Sequence, residues 1–76
     1  MYGLLYGAEG RSDYRIIAPF KTKKEAAEAY DPRDRIRYSD GIIGGAEIVE
    51  VDYDSHFGLY IPVATVKVVA RDMRYR

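Results

Sequence analysis

Four side chains that could bind a metal ion recur at every second position in the second half of the chain. These are Glu50, Asp52, Asp54 and His56. A straight strand would point all four to one face, but alternate strand residues lie about 6.7 Å apart. The oxygen ligands of a single ion must lie within about 2.0–2.6 Å of it. We therefore expect no metal site, but a solvated acidic face that pairs with Lys67 and Arg71 of a neighbouring strand.

The segment Asp54-Ser55-His56 contains the three residue types of a serine triad. Nucleophilic catalysis needs the imidazole between the hydroxyl and the carboxylate, which side chains adjacent in sequence rarely achieve. A working site also needs an oxyanion hole and a pocket. The glycines do not form a phosphate-binding loop, because none stands between a strand and a helix followed by Lys-Ser/Thr. The sequence therefore predicts a protein that is not an enzyme, with no catalytic residue and no cofactor.

A stripe of arginines lies just before the middle of the chain. It consists of Arg33, Arg35 and Arg37. Planar guanidinium groups suit phosphates and carboxylates and stack on aromatic rings, so the stripe, with Tyr38 beside it and Lys21 near it, favours a nucleic-acid or acidic-partner surface. The alternative is an internal charge ladder in which Arg35 lies near Glu47 across a hairpin. The sequence leaves both interpretations open.

Eight tyrosines in 76 residues are the most unusual feature of the composition. So small a core cannot hold eight phenol rings with a partner for each hydroxyl, so some tyrosines must be exposed. Exposed tyrosine and arginine are enriched at protein interfaces. The alternative is that tyrosine simply suits half-buried strands. The candidates for exposure are Tyr2, Tyr14, Tyr38, Tyr53, Tyr60 and Tyr75.

Charge and length limit the classes of function. The 12 basic and 12 acidic residues balance, which excludes the overall positive charge typical of nucleic-acid-binding domains. Residues 15–39 nevertheless carry +3 (seven basic, four acidic) and residues 40–54 carry −5. No cysteine is present to form disulfides or thiolate zinc sites. No apolar run reaches the roughly 20 residues that span a bilayer, and we expect a cytoplasmic protein without membrane contact.

Local patterns predict two strands and a helix in the first half of the chain. Apolar residues alternate over residues 2–8 and again over residues 14–20. Thr22 and Glu25 have the spacing of a capping box, which predicts a helix of about nine residues. Asp31-Pro32 ends that helix, because the residue before a proline is pushed out of the α region.

The second half of the chain predicts a hairpin and a last strand. Residues 33–39 and 42–53 flank Asp40-Gly41, which fits a two-residue type I′ turn. Gly44-Gly45 predicts a bulge or bend within the return strand. A last strand follows over residues 61–71, and its even positions, from Ala64 to Ala70, are all apolar.

The fold class is therefore α+β. We expect a mostly antiparallel sheet of about five strands in the order ββαβββ, able to curl into a half-barrel, with one short helix on it. Residues 1–76 form a single domain whose last residues, 72–76, are a frayed tail. The predicted core consists of Leu4, Tyr6, Ile16, Phe20, Ala26, Tyr30, Ile36, Val49, Val51, Val66 and Val68.

Residues 34–51, from Asp34 to Val51, resemble the central hairpin of ASCH/PUA-like RNA-associated domains. The resemblance covers a quarter of the chain and implies a β-barrel-like hairpin. It carries over no functional residue, so it names no site in this sequence.

Size and aromatic surface favour a non-enzymatic binding protein that masks a protein partner, of the kind that phages and mobile elements use as inhibitors or adaptors. The alternative is a small RNA- or DNA-binding sheet with an Arg/Lys/Tyr face; a less favoured one is an oligomer that sequesters a small ligand. A homodimer is compatible with all three. The expected contact residues are Tyr2, Tyr14, Arg33, Arg35, Arg37, Tyr38, Glu50, Asp52, Asp54 and Tyr60.

Overall fold

The computed structural model describes residues 1–74 and confirms a small α+β fold made mostly of strands. The strands are β1 (Tyr2–Gly7), β2 (Arg15–Phe20), β3 (Ile42–Ile43), β4 (Gly45–Asp54), β5 (Leu59–Ala70) and β6 (Met73–Arg74). The helix α1 spans Lys23–Glu28, and a single 3₁₀ turn spans Pro32–Asp34. No helix within residues 1–74 is long and apolar enough to cross a membrane.

Four of the strands form one antiparallel sheet in the order β2-β1-β4-β5. The short strands β3 and β6 pair separately. In this topology β5, the longest strand with 12 residues, lies at an edge of the sheet and has β4 as its only described neighbour. The predicted sheet of about five strands is therefore a four-stranded sheet with a small two-stranded ribbon beside it.

The core lies between the sheet and α1. Leu4 and Tyr6 are alternate residues of β1, and Ala46 stands opposite Tyr6 on β4. These three side chains form the buried cluster, and Ala26 of α1 is also fully buried. We call this side of the sheet the helix face and the other side the open face. Burial against small alanines lets the helix approach the strands closely.

The helix begins as the capping box predicts. The Thr22 hydroxyl accepts a hydrogen bond from the Glu25 amide at 3.2 Å. The Glu25 carboxylate returns to the Lys21 amide at 3.2 Å, one residue before the amide that the box predicts. The helix has six residues rather than about nine. Beyond its end, the Tyr30 ring stacks on the Tyr6 ring, with ring centroids 6.1 Å apart.

The hairpin prediction is wrong for residues 33–39, which do not form a strand. Pro32–Asp34 is a 3₁₀ turn, and Arg37 forms the one described bridge between this segment and β3. The turn is also of another type: the Gly41 amide donates to the Tyr38 carbonyl at 3.2 Å, and Gly41 has φ 85°. A type I′ turn would need positive φ at Asp40 as well, and every described residue with positive φ is a glycine. The predicted break at Gly44 is confirmed.

Strand β5 departs from the period-two pattern. Its register with β4 shifts three times, and each shift adds one residue to β5: Val63, Val66 and Val69 are passed over. Such bulges bend and twist a strand. As a result Ala64, Lys67 and Ala70, three residues apart, stand opposite helix-face residues of β4. The predicted apolar even face of this strand does not exist.

The predicted core is confirmed in part. Five residues are buried: Leu4, Tyr6, Ala26, Val49 and Val51. Four are half-buried: Ile16, Phe20, Tyr30 and Ile36. Val66 and Val68 are wrong, since they are 38% and 42% exposed. The bulges and the edge position of β5 leave nothing described to cover them.

The chain end is more ordered than the predicted frayed tail over residues 72–76. Met73–Arg74 pairs with β3. The Asp72 carboxylate accepts hydrogen bonds from the Glu9 amide at 2.8 Å and from the Gly45 amide at 3.1 Å. These charge-assisted bonds fix the chain where it leaves β5, which the composition of the tail does not reveal. The predicted fraying of residues 75–76 lies outside the described residues.

Candidate binding surface

The far end of the β4–β5 hairpin has no other strand beside it. Strand β1 pairs with β4 only as far as Tyr2 opposite Glu50, whereas β4 and β5 remain paired to Asp54 opposite Leu59. We call residues 52–61 the arm. Its Leu59 and Tyr60 line an open cavity of about 550 Å³ together with Ile16 and Ala18 of β2. The arm and strand β2 therefore border one open cavity, and the curling of the sheet into a half-barrel stays a prediction.

Exposed apolar side chains are concentrated on the arm and on β5. Eleven large hydrophobic residues are exposed in the part of the chain that the structure describes, and seven of them lie between residues 53 and 68. They are Tyr53, Phe57, Leu59, Ile61, Val63, Val66 and Val68. Single exposed apolar residues are ordinary, but a concentration of them in one part of the fold indicates a candidate interaction site. We call these seven residues the patch. This patch is the strongest candidate for a functional surface.

The end of the arm is an aromatic cluster on a well-held turn. The Asp54 carboxylate accepts hydrogen bonds from the His56 amide at 2.8 Å and the Phe57 amide at 3.4 Å. The Tyr53 and Tyr60 rings meet edge to face with centroids 5.2 Å apart. The His56 and Phe57 rings do the same at 4.9 Å. We call Tyr53, His56, Phe57 and Tyr60 the aromatic tip.

Asp54 thus supports the turn instead of serving a triad with Ser55 and His56. Its carboxylate accepts from backbone amides, and the His56 ring packs on Phe57. Within residues 1–74, no group of three or more His, Cys, Asp or Glu side chains could hold a metal ion. The four alternating residues Glu50, Asp52, Asp54 and His56 therefore do not converge on one point.

The acidic side chains of β4 lie on the helix face beside the tip. Glu50, Asp52 and Asp54 alternate with Val51 and Tyr53 along the strand. The expected ladder with Lys67 and Arg71 does not form, because Lys67 stands opposite Ile48 and Arg71 follows the end of β5. In the described part of the chain, the ion pairs involve other acids. The acidic strand thus presents carboxylates without a cationic partner in residues 1–74.

The arginine stripe does not form a row, because its segment is not a strand. Arg33 pairs with Asp31 at 3.2 Å. The hydrogen bond between the two side chains raises the pKa of Arg33 and lowers the pKa of Asp31. Arg35 is half-buried: its Nε donates to the Tyr30 hydroxyl at 3.1 Å and a terminal nitrogen to the Met73 sulfur at 2.8 Å. The expected approach of Arg35 to Glu47 is wrong, since Glu47 accepts from Thr65 instead.

The candidate tyrosines fall into three environments. Tyr38 is only 8% exposed, and its hydroxyl donates to the Asp13 carbonyl at 2.9 Å. Tyr2 is half-buried, with the Lys23 ammonium 6.0 Å from its ring centre. Tyr14 is exposed just before β2 and lines the cavity of about 550 Å³ together with Tyr60. Among the described candidates, Tyr53 and Tyr60 are the pair whose rings meet.

A second cavity, of about 720 Å³, lies at the other end of the sheet. Its lining includes Arg11, Glu47 and Asp72. Each of these is already engaged within the chain: Arg11 with Asp40, Glu47 with the Thr65 hydroxyl, and Asp72 with two backbone amides. Glu9 and Arg71 also line the cavity, and neither side chain has an ion pair or hydrogen bond within residues 1–74. Few free polar groups therefore converge here to fix a small ligand.

Sequence reasoning missed the apolar members of the patch, above all Phe57, Leu59 and Val63. The signal was present: β5 has one charged residue in 12 and apolar residues at both odd and even positions. Such a strand is typically buried on both faces, yet the topology places this one at an edge. No family model, curated protein or solved structure matches this chain.

Proposed function

We propose that the protein acts without catalysis by binding another protein through the aromatic tip and the acidic strand beside it. The observation that carries this proposal is the grouping of exposed aromatic and apolar side chains at the unsupported end of the β4–β5 hairpin. The partner is a protein whose surface offers an apolar pocket bordered by basic side chains. The mode of action is masking, in which the tip covers a site on that partner.

Phe57 is the expected anchor. It is 71% exposed at the end of a turn that Asp54 holds in shape. Full burial of such a side chain in a partner contributes roughly 1.5–3 kcal/mol. Because the turn is already ordered and the ring is rigid, little conformational entropy is lost on binding. Tyr53 adds a second aromatic ring with a polar hydroxyl, the kind of side chain that dominates binding energy at protein interfaces.

The acidic side chains determine the class of partner. Glu50 and Asp52 are exposed next to the tip, and no cation of residues 1–74 pairs with them. Carboxylates repel phosphates and attract lysine and arginine, so they steer a basic protein surface toward the tip. The nucleic-acid alternative has less support, because Arg15 and Arg33 are engaged by Asp34 and Asp31.

The test is affinity capture on the immobilised full-length chain, followed by titration of the captured protein. A double substitution, Tyr53→Ser with Phe57→Ser, is expected to weaken binding at least about tenfold. Ile17→Ser is the matched control, since Ile17 is an exposed apolar residue of β2 that lies on the opposite face of the strand from Ile16 and Ala18, which share a cavity with Tyr60. Its binding should equal that of the unchanged chain. Thermal unfolding of all three proteins checks that the fold is retained.

Two results would contradict the proposal. A captured protein that binds the double variant as tightly as the unchanged chain would show that the tip is not the contact. Binding of mixed oligonucleotides with a steep dependence on salt would point instead to the nucleic-acid alternative. We expect no oligonucleotide binding even at low salt.

A further inference from the structure

Strand β5 has the composition of an interior strand and the position of an edge strand. Its 12 residues include one charge, Lys67. Natural edge strands are usually short or protected by several charges, because an open apolar edge pairs with other chains. The four residues Ile61, Val63, Val66 and Val68, which we call the β5 row, are 38–57% exposed. Something outside residues 1–74 is therefore needed to cover this row.

We propose that a second copy of this chain covers the β5 row. The two β5 strands lie antiparallel, related by a two-fold axis near Ala64. A two-fold interface must be complementary to itself, and this strand meets that requirement. With the two strands side by side and the axis at Ala64, Val66 of one copy lies beside Pro62 of the other and Val68 lies beside Tyr60. The small side chain of Ala64 lies on the axis, where two identical residues must fit.

Charge complementarity supports this occupant. With the axis at Ala64, residues at equal distances before and after Ala64 stand opposite each other in the two copies. Lys67 of one copy, three positions after Ala64, therefore stands opposite Ile61 of the second copy, three positions before it. Within each copy Ile61 pairs with Asp52 of β4. Lys67 and Asp52 both lie on the helix face, since Lys67 stands opposite Ile48 and Asp52 alternates with it along β4. Each Lys67 therefore approaches an Asp52 of the second copy.

The distance suits an ion pair. Two strand spacings, about 9.6 Å, separate the backbone at Lys67 from the backbone at Asp52 of the second copy. An extended lysine side chain and an aspartate can bridge this distance. Within the described residues neither Lys67 nor Asp52 has an ion-pair partner of its own chain. The symmetry forms this pair twice, at both ends of the contact.

The size of the contact is sufficient for a specific but modest dimer. A strand of 12 residues spans about 40 Å, and three strand spacings give a width of about 15 Å. That area is on the order of 600 Å² per copy, or roughly 1,200 Å² in total, the lower limit for specific interfaces. Pro62 has no N–H and the three bulges interrupt the backbone pattern. The backbone pairing between the two copies is therefore interrupted, and apolar side chains on both faces of the paired strands add to the contact.

The dimer leaves Tyr53, His56 and Phe57 of each aromatic tip outside the contact, because the two arms point in opposite directions from the axis. Two tips on one particle would bind a partner with two sites more tightly than a single tip would. The dimer does not depend on the proposed partner binding, since it is carried by the β5 row, Lys67 and Asp52, and its test needs no partner.

The experiment is sedimentation equilibrium of the full chain over a wide range of concentration. We expect the mass of two chains at high concentration and of one chain on dilution. Because both copies carry the substitution, Val66→Glu places two negative charges in the contact. It is expected to weaken the dimer at least about a hundredfold. Ile17→Glu is the matched control, because Ile17 is 37% exposed on the opposite edge strand and Val66 is 38% exposed. It should leave the dimer unchanged.

A charge exchange tests the geometry. Lys67→Glu alone and Asp52→Lys alone should each weaken the dimer about fivefold, and the two together should restore it. A chain that is monomeric at every concentration would overturn the proposal. So would a dimer that Ile17→Glu disrupts as much as Val66→Glu does. A double charge exchange that is weaker than both single changes would place the two-fold axis elsewhere and would also overturn it.

Discussion

The two long strands at the centre and at the edge of the sheet, β4 and β5, differ in what covers them. From Ala46 to Val51, β4 lies between two strands and has a single exposed residue, Glu50. Strand β5 is at least as apolar and twice as long as that stretch, yet most of its side chains are exposed. The difference shows that apolar sequence predicts burial only where the topology supplies neighbours. Apolar residues without neighbours are better explained by association than by stability.

The largest expected effect separates these two regions directly. Leu4→Ala removes a fully buried side chain that packs with Tyr6 and Ala46. Its unfolding free energy should fall by about 3 kcal/mol or more, because the deletion leaves a cavity. Val63→Ala, at a side chain that is 57% exposed, should cost under about 0.5 kcal/mol in dilute protein. Urea unfolding of both variants measures the contrast, and equal losses would contradict it.

Gly45→Ala tests the junction where β4 begins and β5 ends. A Cβ at this position would lie against the backbone carbonyl oxygen of Ala70, which cannot move without disturbing the strand. We expect a loss of about 2–3 kcal/mol of unfolding free energy. Calorimetric unfolding measures it. A variant as stable as the unchanged chain would show that this crossing of the two strands is looser than described.

Thr22→Ala removes the hydroxyl that caps α1. The unfolding free energy should fall by about 1 kcal/mol, and Thr22→Ser should restore most of it because serine caps equally well. The substitution weakens α1, which covers the helix face, and leaves β5 unaltered, so it separates the two regions. Urea unfolding checks the stability. Association through β5 should be unchanged, and a loss of association would mean that the two regions are coupled.

The smallest expected effect concerns Asp31 and Arg33, in the turn after the helix. The hydrogen bond to Arg33 lowers the pKa of Asp31 below its ordinary value of 3.8. A carboxyl whose pKa is lower in the folded state stabilises it above pH 3.8, and this contribution is lost as the pH falls through the lowered value. Both side chains are largely exposed, so the effect on stability is minor. Carboxyl NMR titration should show the pKa rise in Arg33→Gln; an unchanged pKa would exclude the pair.

Local rules predicted those parts of the fold in which neighbours in sequence decide the structure. The cap at Thr22, the break at Gly44 and the alternation along β1 and β4 are of this kind. The strand predicted for the segment with Arg33 and Arg35 is wrong, because Asp31 and Pro32 begin a 3₁₀ turn there. The Asp31 amide donates to the hydroxyl of Tyr6, which is distant in sequence. The role of Asp72 could not be predicted from the sequence either. Its carboxylate accepts hydrogen bonds from the amides of Glu9 and Gly45, which are distant in sequence.

The candidate surface was half visible in the sequence. Tyr60, Asp52 and Asp54 could be named from residue type and spacing. The apolar even positions of residues 61–71 predict that Val66 and Val68 are buried, and this prediction is wrong. Three bulges, which no local pattern marks, gave β5 a period of three against β4. The edge position of β5 depends on the order of all four strands, which is a property of the whole chain.

The most direct test of association through β5 is an isotope-filtered NMR experiment on an equal mixture of ¹³C-labelled and unlabelled protein. Intermolecular contacts are expected at the methyl groups of Val63 and Val66, and none is expected at Leu4, which is buried within one copy. Intermolecular contacts confined to residues outside β5, or none at a concentration where the mass is that of two chains, would contradict the account.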